Sequence, residues 1–241
     1  KNFCEIKGNG ISGYNFKKNI TLNAQNSGTL GRLILGLLIN TTEPIKLIGD
    51  KSLSKRDFKR VTDPLTKFGA KFKLRKNRYL PLTIFGSNKL NSINYFENKG
   101  SAQCKSSVIF GGLRAKGKTI IKARKSRNHT ELMLNHLNLP IEVKSKKKYD
   151  FIKISRVKKI SKLNYNIPSD ISSSAFFMVL TALSEDSKLV IKNVNINPSR
   201  IGIITILKRM GAIIKLRNKK DYKGEKIADI FVQSSKSLKS I

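Results

Sequence analysis

The sequence predicts an α/β protein built from duplicated units, because β-branched stretches alternate with apolar helical ones and the alternation recurs three times in one layout. Each copy has a small-residue helix start, an apolar helix, a short strand, a polar loop carrying Arg, a second helix and a closing strand. The openings, near Gly28, Ser101 and Ser172, are about seventy residues apart, longer than the period of common solenoids, so the copies read as duplicated units and not as a stacked array.

The first copy opens at Asn26-Ser27-Gly28-Thr29 and runs into an apolar helix over residues 30–38. Ile45-Lys46-Leu47-Ile48 is its strand, and residues 49–56 are its loop. A second helix places Val61, Leu65 and Phe68 on one face at helical spacing and stops at Gly69, before a strand over residues 71–74. The second copy opens at Gly100-Ser101-Ala102-Gln103, with Val108, Ile109 and Leu113 on its helix. A strand over residues 119–123, a loop over 124–129, a helix carrying Leu132, Met133 and Leu137, and the strand Ile141-Glu142-Val143 complete it. The third opens at Asp170-Ile171-Ser172-Ser173, continues as a helix to Leu183, and has a strand over residues 188–192. Its loop runs to Arg200, and its last helix ends at Met210-Gly211-Ala212 before Ile213-Ile214. A domain boundary falls at Pro168, where the Lys-rich, weakly patterned residues 158–166 give way to the third copy.

The chain has 241 residues, 39% of them hydrophobic, enough for one large core or two smaller ones. Its longest apolar stretch, residues 33–39, is about a third of the roughly 20 residues a bilayer span needs. The opening Lys1-Asn2-Phe3-Cys4-Glu5 has no initiator Met and no signal-like apolar run, and it reads as a truncated start in mid-strand. Cys4 and Cys104, far apart and without ligand spacing, predict reduced thiols in a cytoplasmic protein, with neither a disulfide scaffold nor a zinc site.

Forty-nine Lys and Arg against 15 Asp and Glu leave a net charge of +34. Nucleic-acid binding is one reading of that excess. The lysines are spread over the whole length, however, together with abundant Ile and Asn, so compositional drift explains them equally well. Charge alone establishes only a preference for anionic partners.

Small polar residues and Gly at a helix start supply N-caps and let a ligand reach bare backbone amides, where the helix dipole favours an anion. Each copy also carries an Arg in the next loop: Arg56 (with Arg60), Arg127 and Arg200. Planar guanidinium forks suit phosphates and carboxylates. A plain capped helix is the bland reading of any one copy. The recurrence of cap, Gly and Arg fork points to a ligand with several anionic groups.

Six segments carry a more specific resemblance. Asn26-Ser27-Gly28-Thr29-Leu30-Gly31-Arg32, Gly49-Asp50-Lys51-Ser52-Leu53-Ser54-Lys55-Arg56 and Ser101-Ala102-Gln103-Cys104-Lys105-Ser106 are three of them. Ser126-Arg127-Asn128-His129-Thr130-Glu131, the run from Pro168 to Phe177, and Asn197-Pro198-Ser199-Arg200 complete the set. In this order they resemble the signature segments of the 3-phosphoshikimate 1-carboxyvinyltransferases (EPSP synthases), in the wording of the second class of these enzymes.

The resemblance implies the enolpyruvyl transferase fold, built from repeated βαβαββ units in two domains, both incomplete here. Residues 1–167 would be part of the upper domain, about two units of it, and residues 168–241 the first unit of the lower domain. The implied reaction moves the enolpyruvyl group of phosphoenolpyruvate to the 5-hydroxyl of shikimate 3-phosphate, a step towards chorismate and the aromatic amino acids. It implies no metal or organic cofactor. Gly28, Arg56 and Gln103 would bind phosphoenolpyruvate; Ser101, Ala102, Gln103, Ser126 and Arg127 would bind shikimate 3-phosphate. His129 reads as structural, and Asp50 and Asp170 as caps or turn residues.

Departures from the family pattern are Asp57 for Pro, Asn128 for Asp, Leu132 for a basic residue and Ser199 for Thr. Asp57, beside Arg56, is placed to compete for its charge. The family's early substrate motif and its lower-domain acid/base carboxylates would lie outside this chain, so no catalytic acid or base is assigned and the chain alone is expected to be inactive. The expected protein is a cytoplasmic monomer with no specific nucleic-acid partner and no membrane association.

Two rivals remain. The sister enzyme acting on UDP-N-acetylglucosamine carries a Cys in the loop where this chain has residues 50–56, whereas Cys104 lies elsewhere. A basic RNA-binding or RNA-processing protein would show aromatic stacking platforms among its cations. With no Trp and 7% aromatics, none is evident in the sequence.

Overall fold

A computed structural model describes residues 3–11, 18–235 and 237–241. The chain divides into two compact units, Lys1–Ser126 with Asn138–Ser161, and Arg127–Leu137 with Lys162–Ile241.

The first unit holds two copies of one pattern. In the first copy β1 (Ile20–Asn23), α1 (Gly28–Leu38), β2 (Ile45–Ile48), a 3₁₀ turn (Leu53–Lys55), α2 (Lys59–Thr66), β3 (Lys71–Arg75) and β4 (Tyr79–Phe85) follow in sequence. In the second, β5 (Asn94–Glu97), α3 (Ala102–Gly112) and β6 (Lys118–Arg124) lead through α4 (His129–His136) to β7 (Ile141–Ser145) and β8 (Tyr149–Ser155). The two sheets share one topology, β1-β2-β4-β3 and β5-β6-β8-β7, with the first pair parallel and the others antiparallel. The parallel pair is joined through a helix, as a parallel crossover requires.

The second unit repeats the pattern with α5 (Ile171–Leu183), β9 (Lys188–Asn195), α6 (Gly202–Arg209), β10 (Ile213–Tyr222) and β11 (Glu225–Gln233), in sheet order β10-β11-β9. In place of a first strand it has a single parallel bridge, Ser169 to Val194, on the free side of β9. The helix α4 groups with this second unit, although the strands before and after it belong to the first.

Alternation along the strands explains the layering. β6 alternates exposed and buried residues throughout, and β4 buries Leu80, Leu82 and Ile84 between exposed or half-buried neighbours. Each sheet therefore buries one face against helices and presents the other to solvent. In the first unit Leu35, Phe58, Leu65, Phe68, Val108 and Ile109 are fully buried. In the second, Met178, Ala182, Leu207, Ile230 and Val232 form the core.

α1 and α3 pack directly, and small residues allow it. A Cβ on Gly36 would overlap the carbonyl oxygen of Ser107. Ser107 Oγ donates to the Arg32 carbonyl at 3.0 Å, and one turn earlier Gln103 meets Thr29 and Arg32. Advancing four residues on one helix advances four on the other, so the two helices run parallel with both N-termini at one end.

The expected helices and strands of all three copies are present, with ends shifted by a residue or a few, except that β10 runs on to Tyr222 where Ile213-Ile214 alone was expected. The strands not expected from residue patterns are β1, β5 and the second arms of the closing hairpins, β4, β8 and β11. β4 carries Pro81 as its third residue, a residue type that argues against a strand. The chain start was expected in mid-strand; Lys1 and Asn2 lie outside the described residues, and residues 3–10 form no strand. A strand needs a partner edge, and no described strand pairs with that segment.

Candidate active site

The site begins with the two parallel helix starts of the first unit. Ser27 caps α1 by accepting the Leu30 amide at 3.0 Å, and Ser101 caps α3 by accepting the Cys104 amide at 3.3 Å. The buried Glu97 secures the second start, accepting the Ser101 amide at 2.9 Å and the Lys99 amide at 3.2 Å. Two positive helix ends thus lie side by side with their remaining first-turn amides unused by caps, the arrangement that attracts anions.

Guanidinium groups converge on the same place. A Cβ added to Gly28 would lie 3.0 Å from Nη1 of Arg56 and 3.1 Å from Nη1 of Arg32. Arg32 donates to Gln103 Oε1 at 2.6 Å, and Gln103 Nε2 donates to Thr29 Oγ1 at 2.8 Å, so Gln103 spans the two helix starts. The Arg32 guanidinium also lies 5.5 Å from the centre of the Phe58 ring. Burial, together with the charges of Arg60 and Arg56, presses Arg32 below the usual arginine value, against an opposing contribution from Cys104. Concentrating cations this way costs free energy that a bound anion would relieve.

The loop that carries Arg56 is fixed by Asp50. Its carboxylate accepts the Leu53 amide at 2.7 Å and the Asn26 side-chain amide at 2.5 Å. The Leu53 bond first, then the Asn26 bond, holds Asp50 below the usual carboxylate range. Asp50 is therefore an ionised turn residue. Asp57 does not take Arg56; it lies 3.5 Å from Arg78 Nε and accepts the Lys59 amide.

Of the expected site residues, Gly28, Arg56, Ser101, Ala102 and Gln103 stand at these helix starts. Ser101 spends its hydroxyl on the cap. Ser126 Oγ is buried with no hydrogen-bond partner. Arg127 is exposed and begins the segment that groups with the second unit.

The third copy is built differently. Asp170 caps α5 through the Ser173 amide at 2.9 Å, and Arg200 turns onto Asp170 at 3.1 Å and Ser172 Oγ at 2.5 Å. Its Arg is spent within its own helix start. His129 is structural: its Nδ1 lies 2.5 Å from Glu225 Oε1, and Asn197 donates to Glu225 Oε2 at 3.3 Å and to Asn128 Oδ1 at 2.9 Å. Arg32 and Thr29 were not singled out from sequence. Arg32 had a signal, standing four residues after Gly28 on the same helix face. The role of Thr29 depends on α3 and had none.

Comparison with known proteins bears on this site. The family model described as EPSP synthase (3-phosphoshikimate 1-carboxyvinyltransferase) matches residues 2–239. A 3-phosphoshikimate 1-carboxyvinyltransferase of Caldicellulosiruptor bescii is 46% identical over 232 residues, covering 95% of this chain and 53% of the relative. That of Hydrogenovibrio crunogenus is 43% identical over 238 residues, covering 98% and 53%. An EPSP synthase structure from Acinetobacter baumannii aligns with a TM-score of 0.79 at 38% identity, covering 92% of this chain and 50% of its own. The chain spans about half the length of the curated relatives it matches.

Proposed function

This chain belongs to the EPSP synthase family and has the enolpyruvyl transferase fold, and on that premise we propose that it carries the substrate-binding half of a 3-phosphoshikimate 1-carboxyvinyltransferase. The observation that carries the reading is the pair of parallel helix starts where Arg32, Arg56 and Gln103 meet above Gly28.

Phosphoenolpyruvate binds at that meeting point. Gly28 leaves room against the α1 amides, Arg56 pairs with an anionic group, and Gln103 lies between the two substrates. Shikimate 3-phosphate is held by Ser101, Ala102, Gln103, Ser126 and Arg127, with Ser126 and Arg127 at its phosphate. The unpartnered hydroxyl of Ser126 supports its part; the Ser126-to-Glu131 motif supports that of Arg127.

The 5-hydroxyl of shikimate 3-phosphate adds to C2 of phosphoenolpyruvate as C3 takes a proton. Loss of phosphate from C2 and of a proton from C3 then restores the double bond. The cations hold the phosphates and the carboxylate in line, which supplies orientation and charge stabilisation. The chemistry needs no cofactor. The reading includes residues 1–167 as upper-domain units and 168–241 as the first lower-domain unit, in a cytoplasmic monomer with no specific nucleic-acid partner.

The test is phosphate release by the protein carrying this chain, given phosphoenolpyruvate with either shikimate 3-phosphate or UDP-N-acetylglucosamine. Release with the first acceptor only, lost in Arg56→Ala, is the expected result. Release with the second acceptor, or release indifferent to Arg56, overturns the assignment.

A further inference from the structure

We propose that the outer face of the β5-β6-β8-β7 sheet binds single-stranded nucleic acid without sequence preference. Strand register places Phe96, Lys122, Phe151 and Lys144 in one outward row across the four strands. Lys153 stands in the adjacent row beside Ile120, and Tyr149 in the row on the other side beside Arg124.

The three aromatic rings form one patch around Lys122, and Lys146 Nζ lies 5.3 Å from the centre of the Phe151 ring. Phe96 and Tyr149 have ring centres 5.7 Å apart, and Lys122 Nζ lies 5.0 Å from the first, 4.9 Å from the second and 6.0 Å from that of Phe151. Phe96 is 49% exposed, turned outwards by strand alternation as its neighbour Glu97 turns in. Glu142 is the one carboxylate on that outward face among the described residues.

Two features of this face match one kind of partner. A flat sheet bearing exposed rings offers surfaces on which unpaired bases stack, and every base has a π-face, so stacking is indifferent to sequence. The flanking lysines stand where a phosphate backbone would run, and Lys122 can leave the rings for a phosphate as a base takes its place. A duplex keeps its bases stacked on one another and could use only the charges. The spread of lysines along the sequence concealed this, because the rings come from residues 96, 149 and 151 and meet only in the folded sheet.

The experiment is fluorescence anisotropy with a labelled oligouridylate, a duplex of equal length and polyglutamate at physiological salt. The single strand should bind most tightly. Phe96→Ala and Tyr149→Ala should each weaken it about fivefold or more, and Phe96→Tyr should restore it. Phe96 is exposed and Tyr149 half-buried, both on the outer face, and an unchanged thermal melt will confirm that the fold persists. Lys46→Ala/Lys73→Ala, on the other sheet of the first unit, removes as much charge as any pair of lysines here and serves as the control. Equal binding of single strand and duplex overturns the proposal, as does polyglutamate binding as tightly, or a loss in Phe96→Ala no greater than in the control.

Discussion

Gly28 stands against the two guanidinium groups of the site. A methyl group there would sit 3.0 Å and 3.1 Å from two guanidinium nitrogens, tighter than ordinary contact. Because both are ends of flexible side chains, Gly28→Ala should fold normally and move Arg56 and Arg32 instead of breaking α1. The expected outcome is a several-fold rise in the phosphoenolpyruvate KM with little change for shikimate 3-phosphate, read by steady-state kinetics; the reverse order would remove Gly28 from the phosphoenolpyruvate site. Legibility at this scale was uneven. The cap at Ser101 and the glycine at Gly28 have local causes, whereas Gln103 stood out only through the wording of its motif. The acceptors that hold Arg200, Asp170 and Ser172, come from another part of the chain, so its bonding has no local signal.

At the scale of elements, the site depends on how closely α1 approaches α3. Gly36→Ala places a methyl on the Ser107 carbonyl, backbone that cannot step aside, so the helices must separate. Overpacking of this kind should cost at least about 1–3 kcal/mol, measured by urea unfolding. Gly202→Ala, at the start of α6 with nothing within 4 Å, is the contrast and should be neutral or stabilising by up to about 1 kcal/mol. A second element-level tie joins α4 to the start of β11 through His129 and Glu225. Burial alone would raise the Glu225 pKa, but hydrogen bonds from His129, Asn195 and Asn197 outweigh it and hold the carboxyl below its ordinary value of 4.5. A carboxylate depressed by folding lends stability that is present above its unfolded value and lost as pH falls through the folded one. Thermal melts should therefore show stability dropping as pH falls below about 4.5, and Glu225→Gln should flatten that part of the profile. An unchanged slope in the variant would show that the tie carries no folding energy.

Across the whole molecule, the fold is one pattern used three times, with charge laid over its outer faces. The two thiols report on how firmly that pattern is packed. Cys4 is exposed, whereas Cys104 lies buried in α3 beneath the site. A thiol reagent should modify one cysteine at once and the second only on unfolding. Prompt reaction of both would mean that α3 opens readily, and a site built on two fixed helix starts would then lose its basis. Among the described residues, no helix is long and apolar enough to cross a membrane.

The repeat, the helices with their caps, and the order of the six motifs follow from local chemistry, since a cap, an apolar stripe and a turn glycine each act within a few residues of themselves. Family membership was legible for the same reason, as those short segments keep their wording. The second hairpin arms, the Arg32–Gln103–Thr29 junction, the direction in which Arg200 turns and the ring cluster around Lys122 were not. Each joins residues that are distant in the chain or on different strands, and only strand register and helix packing bring such groups within reach of one another.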